Sequence, residues 1–281
     1  MGGRLAEVTA RIRSVEQLGG VMTAMRGIAA ARLQQARALL PGIEAHAGLV
    51  GRAIATALRL EDGGEPPPGR GGTPPLALVL FCAEQGFAGI FSERILEAAG
   101  PDLASATLLV AGCRGAVLLA ERGLAPAVAL AMATQAGRIA HVADRLAEAL
   151  YARVAAGRIV RADLVHARPG TGGAVEVVRR PLLPLDLRAF AVPAGHLPPL
   201  ITLPPATLLA RLATEYVFAT LCAAAAESFA AENAARLETT AAAKGHVDET
   251  LARLAAEQQR LRQEEITSDI VELAAGAEAL R

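Results

Sequence analysis

The side chains able to do chemistry are scattered along this 281-residue chain and match no known catalytic spacing. Each histidine stands alone, without an HExxH motif or the Cys/His spacing of a zinc site. The sequence contains neither a GxxxxGK[ST] phosphate loop nor a GxSxG nucleophile elbow. Gly86–Gly89 follows an apolar run but lacks GxGxxG spacing, which favours a plain turn between strand and helix. The histidines are His46, His141, His166, His196 and His246. We therefore predict no catalytic residue, no cofactor and no metal site.

Cysteines and helical carboxylates complete the candidates. Cys82, Cys113 and Cys222 are far apart and odd in number, which favours a reducing compartment and buried thiols over a disulfide framework. Three glutamates, Glu227, Glu232 and Glu238, lie among arginines in a helical stretch. We interpret these carboxylates as part of a solvated helix face.

Composition excludes several function classes. The 28 basic and 28 acidic residues balance, and the chain has no Trp, two Tyr and six Phe. Nucleic-acid binding needs a basic stripe with stacking aromatics, so no nucleic acid is expected as a partner. The N-terminus lacks the apolar segment of a secretory signal, and the apolar stretch 104–131 is interrupted by charges. A soluble protein, or one peripheral to a membrane, is expected.

Two long helical segments must position whatever function the chain has. Residues 206–281 contain no proline and only two glycines, and one helix of that length would span roughly 110 Å. Such a rod must pair with another helix, enter a partner, or both. The N-terminal segment offers a stripe spaced near 3.5 residues, typical of a coiled coil. Its members are Leu5, Val8, Ile12, Val15, Leu18, Met22, Met25, Ile28, Leu33, Ala36 and Leu39.

Interruptions in the two stripes carry further expectations. Gly19, Gly20 and Gly27 weaken the first helix, which indicates either close approach of another backbone or drift at exposed positions. The pair at 41–42, Pro-Gly, predicts a kink or an interruption. In the second helix the apolar phase slips between Leu261 and Ile266, which indicates a change of packing partner.

The middle of the chain changes period. Apolar runs at 76–81, 106–112, 126–131, 162–167 and 174–182 predict strands, with helices near 92–99, 114–122 and 135–156. Strands alternating with helices favour a largely parallel sheet with a hairpin at its end. The predicted fold is a small Rossmann-like α/β domain inserted between N- and C-terminal helices that pair as a long antiparallel coiled coil. The predicted segments are an N-terminal helix (1–60), a Pro/Gly linker (61–75), the domain (76–203) and a C-terminal helix (204–281).

Several segments carry a resemblance to the γ subunit of F-type ATP synthases. RIRSV (11–15) and TAMRGIAAARLQQA (23–36) resemble that family's N-terminal helix, and ENAAR (232–236) resembles its Glu-His-Ala-Ala-Arg. RLRQEEITSDIVELAAGAEAL (260–280) resembles its specific terminal signature. AEQGFAGIFSERI (83–95) and RPLLPL (180–185) are weaker matches within the domain. The chain departs from the pattern at Gly20, Thr23 and the pair at 84–85, Glu-Gln, which indicates a divergent form. It also lacks the regulatory cysteine-pair insertion of chloroplast forms and a visible transit peptide, so a bacterial source is expected.

The resemblance implies a rotor shaft without catalytic residues that couples ion flow to ATP synthesis. Its expected partners are the α and β subunits, whose hexamer bore receives the coiled coil, and the ε subunit and c-ring, on which the domain sits. The expected location is the bacterial inner membrane, peripheral and on the cytoplasmic side. The residues implied to contact a β-subunit loop or the surrounding sleeve are Met25, Arg26, Arg262, Gln263, Ile266, Thr267, Ile270 and Leu273. Met25 is expected opposite the Arg262–Gln263 region.

Two other function classes remain open on the residues alone. A coiled-coil adaptor that clamps another ring or scaffold without rotating needs the same helices but not the terminal signature. A nucleotide-binding α/β enzyme with helical oligomerisation arms is disfavoured by the missing phosphate loop. Arg262 has its own alternative role, in which its aliphatic stem only covers the partner helix.

Overall fold

The fold is described from a computed structural model, which covers residues 2–60, 74–170, 175–190 and 200–279. The α-helices are α1 (Gly2–Leu58), α2 (Phe91–Ala99), α3 (Cys113–Glu121), α4 (Ile139–Ala155) and α5 (Pro205–Ala279). The strands are β1 (Leu76–Phe81), β2 (Thr107–Ala111), β3 (Val128–Leu130), β4 (Arg161–Pro169) and β5 (Val175–Leu183). Every predicted strand and helix is present. Most of the predicted linker, and part of the turn before β5, lie outside the described residues.

The sheet has the order β3-β2-β1-β4-β5. β1 pairs in parallel with β2 and β4, β2 pairs in parallel with β3, and β5 is antiparallel to β4. β1 occupies the centre because its run LALVLF can be buried on both faces, as parallel strands require. The expected parallel sheet with a terminal hairpin is confirmed.

Alternate residues of β1 contact two separate apolar clusters, as the period of a strand dictates. Ala77, Val79 and Phe81 pack in a cluster with α4 and with parts of α1 and α5. Leu78 and Leu80 pack on the other face with α2 and α3. The long helices therefore supply part of the domain core, and α5 contributes an alanine-rich stretch that admits close packing against the sheet.

The chain divides into two compact units that do not follow the order of the sequence. One unit comprises residues 30–236 and holds the α/β domain. The other comprises residues 1–29 and 237–281, so it consists of the start of α1 and the end of α5. The four-segment division drawn from the sequence stays a prediction.

α1 is not interrupted at Pro41, so the predicted interruption is wrong, and the alternative of a kink there stays a prediction. A proline inside a helix removes one backbone hydrogen bond and crowds the carbonyl four residues earlier, here that of Arg37. Both Pro41 and Arg37 are exposed, so water can satisfy that carbonyl. Continuous helix on both sides then outweighs the local cost.

Candidate functional site

The unit formed by residues 1–29 and 237–281, which we call the helical unit, is an antiparallel pair of helices. Its register follows from two contacts. A Cβ placed on Gly19 would lie 3.2 Å from Cγ1 of Val247. Ten residues earlier, Thr9 Oγ1 accepts a 2.9 Å hydrogen bond from Nε2 of Gln258. Moving back along α1 therefore means moving forward along α5 by nearly the same number of residues. The predicted antiparallel pairing is confirmed within this unit.

The packed face of α1 differs from the predicted stripe at two positions. Gly19 and Ala29 are buried, whereas their neighbours Leu18 and Ile28 are exposed. Gly19 thus meets the partner helix closely, which agrees with the interpretation that these glycines allow close approach of another backbone. Gly20 and Gly27 have open space around them, so both fit the alternative of drift at exposed positions.

The same register separates the predicted contact residues into two groups. Met25 lies six residues beyond Gly19, so it faces α5 near residue 241. That position is about 30 Å along the helix axis from Arg262, at 1.5 Å per residue. The expectation that Met25 lies opposite Arg262 and Gln263 is therefore wrong, because the helices pair in a register that brings Leu5 to the level of Leu261. Met25 is half-buried and its neighbour Arg26 is exposed.

The end of α5 presents an apolar face that nothing in the described structure covers. Leu261 is 8% exposed, but Ile266 is 53%, Ile270 60%, Val271 61% and Leu273 75% exposed. The change falls at the predicted phase slip and near the level where the described part of α1 begins. We call residues 266–273 the α5 tip. Val271 is also exposed, but at 3.6 residues per turn it lies on a different side of the helix from Ile266, Ile270 and Leu273.

The polar residues before the α5 tip have free side chains. Arg262 and Gln263 are exposed, and neither side chain has a hydrogen bond or an ion pair with any described residue. Thr267, by contrast, donates its hydroxyl to the Gln263 carbonyl at 2.8 Å, a bond that stays within the helix. Arg262 and Gln263 are thus available to an external partner.

A buried ionic cluster, which we call the α5 clamp, lies earlier on the same helix. Glu232 and Arg236 are 3% and 4% exposed, and Arg236 Nη2 donates to Glu232 Oε1 at 2.5 Å. The guanidinium also donates to the carbonyls of Gln85 and Gly86, at 3.2 Å each, in the turn after β1. The solvated face expected for Glu227, Glu232 and Glu238 is therefore wrong for Glu232, because α5 here packs against the domain.

The α5 clamp fixes the turn whose sequence resembles the family's domain segment. Phe87, next along the chain, adopts a positive φ of 61° and leaves its ring exposed. A non-glycine residue in that region is held there by its surroundings. Burial raises the pKa of Glu232, and the Arg236 charge opposes that rise.

Among the remaining candidates, two cysteines and one histidine are buried. Burial raises the pKa of Cys82 and of Cys222 to about 12, so both thiols are unreactive. His166 is buried, with Nε2 2.6 Å from a Glu227 oxygen and Nδ1 without a partner. Within the described ranges no group of three His, Cys, Asp or Glu side chains could hold a metal ion.

Comparison with known proteins assigns the family. The profile of the ATP synthase family matches residues 4–280. The ATP synthase gamma chain of Frankia casuarinae is 30% identical over 294 residues, spanning all of this chain and 99% of that one. The chain belongs to the ATP synthase gamma-chain family. The predicted family is confirmed, and with it the function of a gamma subunit, the central-stalk component of an F-type ATP synthase.

Solved structures agree with the gamma-chain fold. A chain of the Euglena gracilis mitochondrial ATP synthase aligns with a TM-score of 0.65 and 13% identity, covering 100% of this chain and 95% of its own. A chain from the central stalk and c-ring structure of Tetrahymena thermophila aligns with a TM-score of 0.54 and 15% identity. That alignment covers 79% of this gamma chain and 99% of the Tetrahymena chain. The predicted fold class, an α/β domain between two long helices, is confirmed.

By length and composition alone, α5 could cross a membrane. This is weak evidence, since a core helix of a soluble protein passes the same test, and 39% of the apolar window is buried. Residues such as Val217 and Leu221 pack in the domain core. We therefore read this stretch of the gamma chain as a core helix.

Proposed function

We propose that this gamma chain is the turning shaft of its complex and that it carries no catalytic residue itself. The bore of an α/β hexamer holds the helical unit, and the α/β domain contacts the ε subunit and the c-ring. The chain is then peripheral to a bacterial plasma membrane, on its cytoplasmic side, and couples proton flow to ATP synthesis on the β subunits. The names of the aligned structures, which include F1, c-ring and central stalk, support this arrangement.

The observation that carries the proposal is the bare apolar face of the α5 tip. Ile266, Ile270 and Leu273 follow one another at helical spacing and are more than half exposed. Leaving such a face in water costs about 25 cal/mol for each Å² of apolar surface that a partner could cover. A sleeve of apolar loops would cover that face and still permit rotation, since apolar contacts are non-directional.

Polar contacts before the α5 tip have a different role. Arg262 and Gln263 have free donors, so they can bond to a mobile loop of a β subunit at one stage of the turn. Arg26 and Met25 contact the surrounding subunits at a different level, because the helix register places them about 30 Å away. Torque is then applied at two heights of the shaft.

Co-expression with the cognate α and β subunits tests the proposal. The full chain should co-purify with them in a stoichiometric ATPase complex, and attached beads should rotate during ATP hydrolysis. A complex that hydrolyses ATP without rotation of this chain would contradict the role of a turning shaft. A chain that stays alone would contradict the whole proposal and favour the adaptor that clamps another ring or scaffold.

Matched variants of the α5 tip sharpen the test. The pair Ile270→Asp and Leu273→Asp should lower recovery of the complex by about tenfold or more, since two carboxylates would be moved from water to an apolar sleeve. The conservative pair Ile270→Val and Leu273→Ile should assemble normally. Equal recovery of both variants would show that the α5 tip is not enclosed.

A further inference from the structure

A cavity of about 330 Å³ opens on the α/β domain. Its walls come from the ends of β1 and β3 and from the first turns of α4. In open α/β sheets, ligands bind in crevices outside the carboxyl ends of the strands. The volume also lies at the lower end of the range seen for small-molecule sites, about 300–1,000 Å³.

Basic side chains dominate the α4 wall of this cavity. Arg138, which directly precedes α4, lines it together with His141 and Arg145, which lie four residues apart on α4. Arg138 and His141 have no hydrogen bond or ion pair with described residues. Arg145 makes one loose pair, 3.9 Å from an exposed Glu148. The wall thus holds two guanidinium groups whose donors are largely unused.

The carboxylate in the cavity, Glu84, accepts hydrogen bonds from groups of the domain itself. Its Oε2 accepts hydrogen bonds from the backbone N–H of Met132 at 2.7 Å and of Cys113 at 3.1 Å. Its Oε1 accepts from the Cys113 thiol at 3.1 Å, which raises the pKa of that thiol. Glu84 therefore joins the ends of three strands, and among the described residues only the loosely paired Glu148 lies within ion-pair distance of Arg138 or Arg145.

The charge pattern also opposes local helix stability. The first turn of α4 has no acidic residue, and no side chain caps its N-terminus. Cations near the positive end of a helix dipole are unfavourable, by a few tenths of a kcal/mol to about 1 kcal/mol each. A bound anion would itself interact favourably with the helix N-terminus and so offset this cost.

We propose that this cavity binds a small phosphate-bearing anion, with Arg138 and Arg145 as its two main ligands. Guanidinium groups match phosphate oxygens with paired hydrogen bonds. The two arginines are seven residues apart, about 10 Å along the helix, so they suit an elongated diphosphate better than a single phosphate. The proposed site does not rest on the proposed function.

Calorimetric titration of the full chain with inorganic pyrophosphate tests the site. Wild-type protein should bind pyrophosphate at least about tenfold more tightly than inorganic phosphate, since pyrophosphate carries more charge and more acceptor oxygens for the two guanidinium groups. The pair Arg138→Gln and Arg145→Gln should weaken pyrophosphate binding by about tenfold or more. The control pair Arg122→Gln and Arg158→Gln removes the same charge from exposed positions elsewhere in the domain and should leave binding unchanged.

Three results would overturn the site. One is absence of pyrophosphate binding to the wild-type chain at millimolar concentration, with circular dichroism showing it folded. Another is equal weakening by the cavity pair and the control pair, which would reveal a general charge effect. The third is citrate binding as tight as pyrophosphate, which would remove the phosphate class. Loss confined to the cavity pair, with phosphate and citrate weaker, supports it.

Discussion

Residues 232–236 and 266–273 lie on the same helix, yet the first segment buries charged side chains and the second exposes apolar ones. The α5 clamp buries a glutamate and an arginine, whereas the α5 tip exposes three isoleucine or leucine side chains and a valine. A buried charge is tolerated when its partners are inside the chain, and Glu232 and the carbonyls of the β1 turn supply them for Arg236. The α5 tip has no such partner among the described residues. The contrast distinguishes a stretch completed by its own domain from one completed by another protein.

Removing one member of the α5 clamp should have the largest effect on stability. Arg236→Met would leave Glu232 buried without its cation and should lower the free energy of unfolding by about 3–5 kcal/mol. Urea unfolding of the full chain measures the change. The matched variant Arg253→Met, at an exposed position on α5, should change stability by no more than about 0.5 kcal/mol.

A double variant shows whether the cost of Arg236→Met comes from an unpaired buried charge or from changed packing. Glu232→Leu combined with Arg236→Met removes both charges, so its cost should be smaller than that of Arg236→Met alone. If Arg236→Met alone lowered stability by under about 1 kcal/mol, Glu232 would not depend on this partner, and the contrast with the α5 tip would fail.

The α5 clamp was also where reasoning from the sequence was least effective. Glu232 and Arg236 stand four apart in an alanine-rich helix, the usual pattern of an exposed pair. Burial arises because alanines on both sides let α5 approach the sheet, and alanine carries little polarity signal. The bounds of α5, in contrast, followed from where proline is absent and glycine is rare. Those of α1 followed from its apolar stripe and the Pro/Gly linker after it, and the strands followed from apolar runs with period changes.

The helix register shows a second limit of the sequence. A mean spacing near 3.5 residues cannot choose between Leu18 and its neighbour Gly19, since a stripe is judged by large apolar side chains. Close packing of two helices selected the smaller residue. The slip after Leu261 was readable, because Leu261 and Ile266 cannot share one face, and the exposure of the α5 tip agrees with it.

An intermediate effect is expected where the α5 tip begins. Arg262→Ala with Gln263→Ala removes free donors, so folding should be unchanged while ATP synthesis by the reconstituted complex falls roughly threefold to tenfold. Arg253→Ala with Gln259→Ala deletes the same two residue types from exposed positions nearer the middle of the helical unit. That control should retain normal synthesis. Unchanged synthesis in the first variant would instead favour the alternative role of Arg262, in which its aliphatic stem only covers the partner helix.

The smallest effect tests the paired region itself, through its glycines. Gly20→Ala and Gly27→Ala each place a methyl group in open space, so each should stabilise the full chain by about 0.5–1 kcal/mol through helix propensity. Gly19→Ala would put its Cβ 3.2 Å from Val247, and this tight contact should cancel most of the same gain. Thermal unfolding of the three variants compares them directly. An equal gain at Gly19 and Gly20 would mean that α1 and α5 are not closely packed at Val247. The position of Met25 and Arg26 along the helical unit would then no longer follow, because it was derived from the contact between Gly19 and Val247.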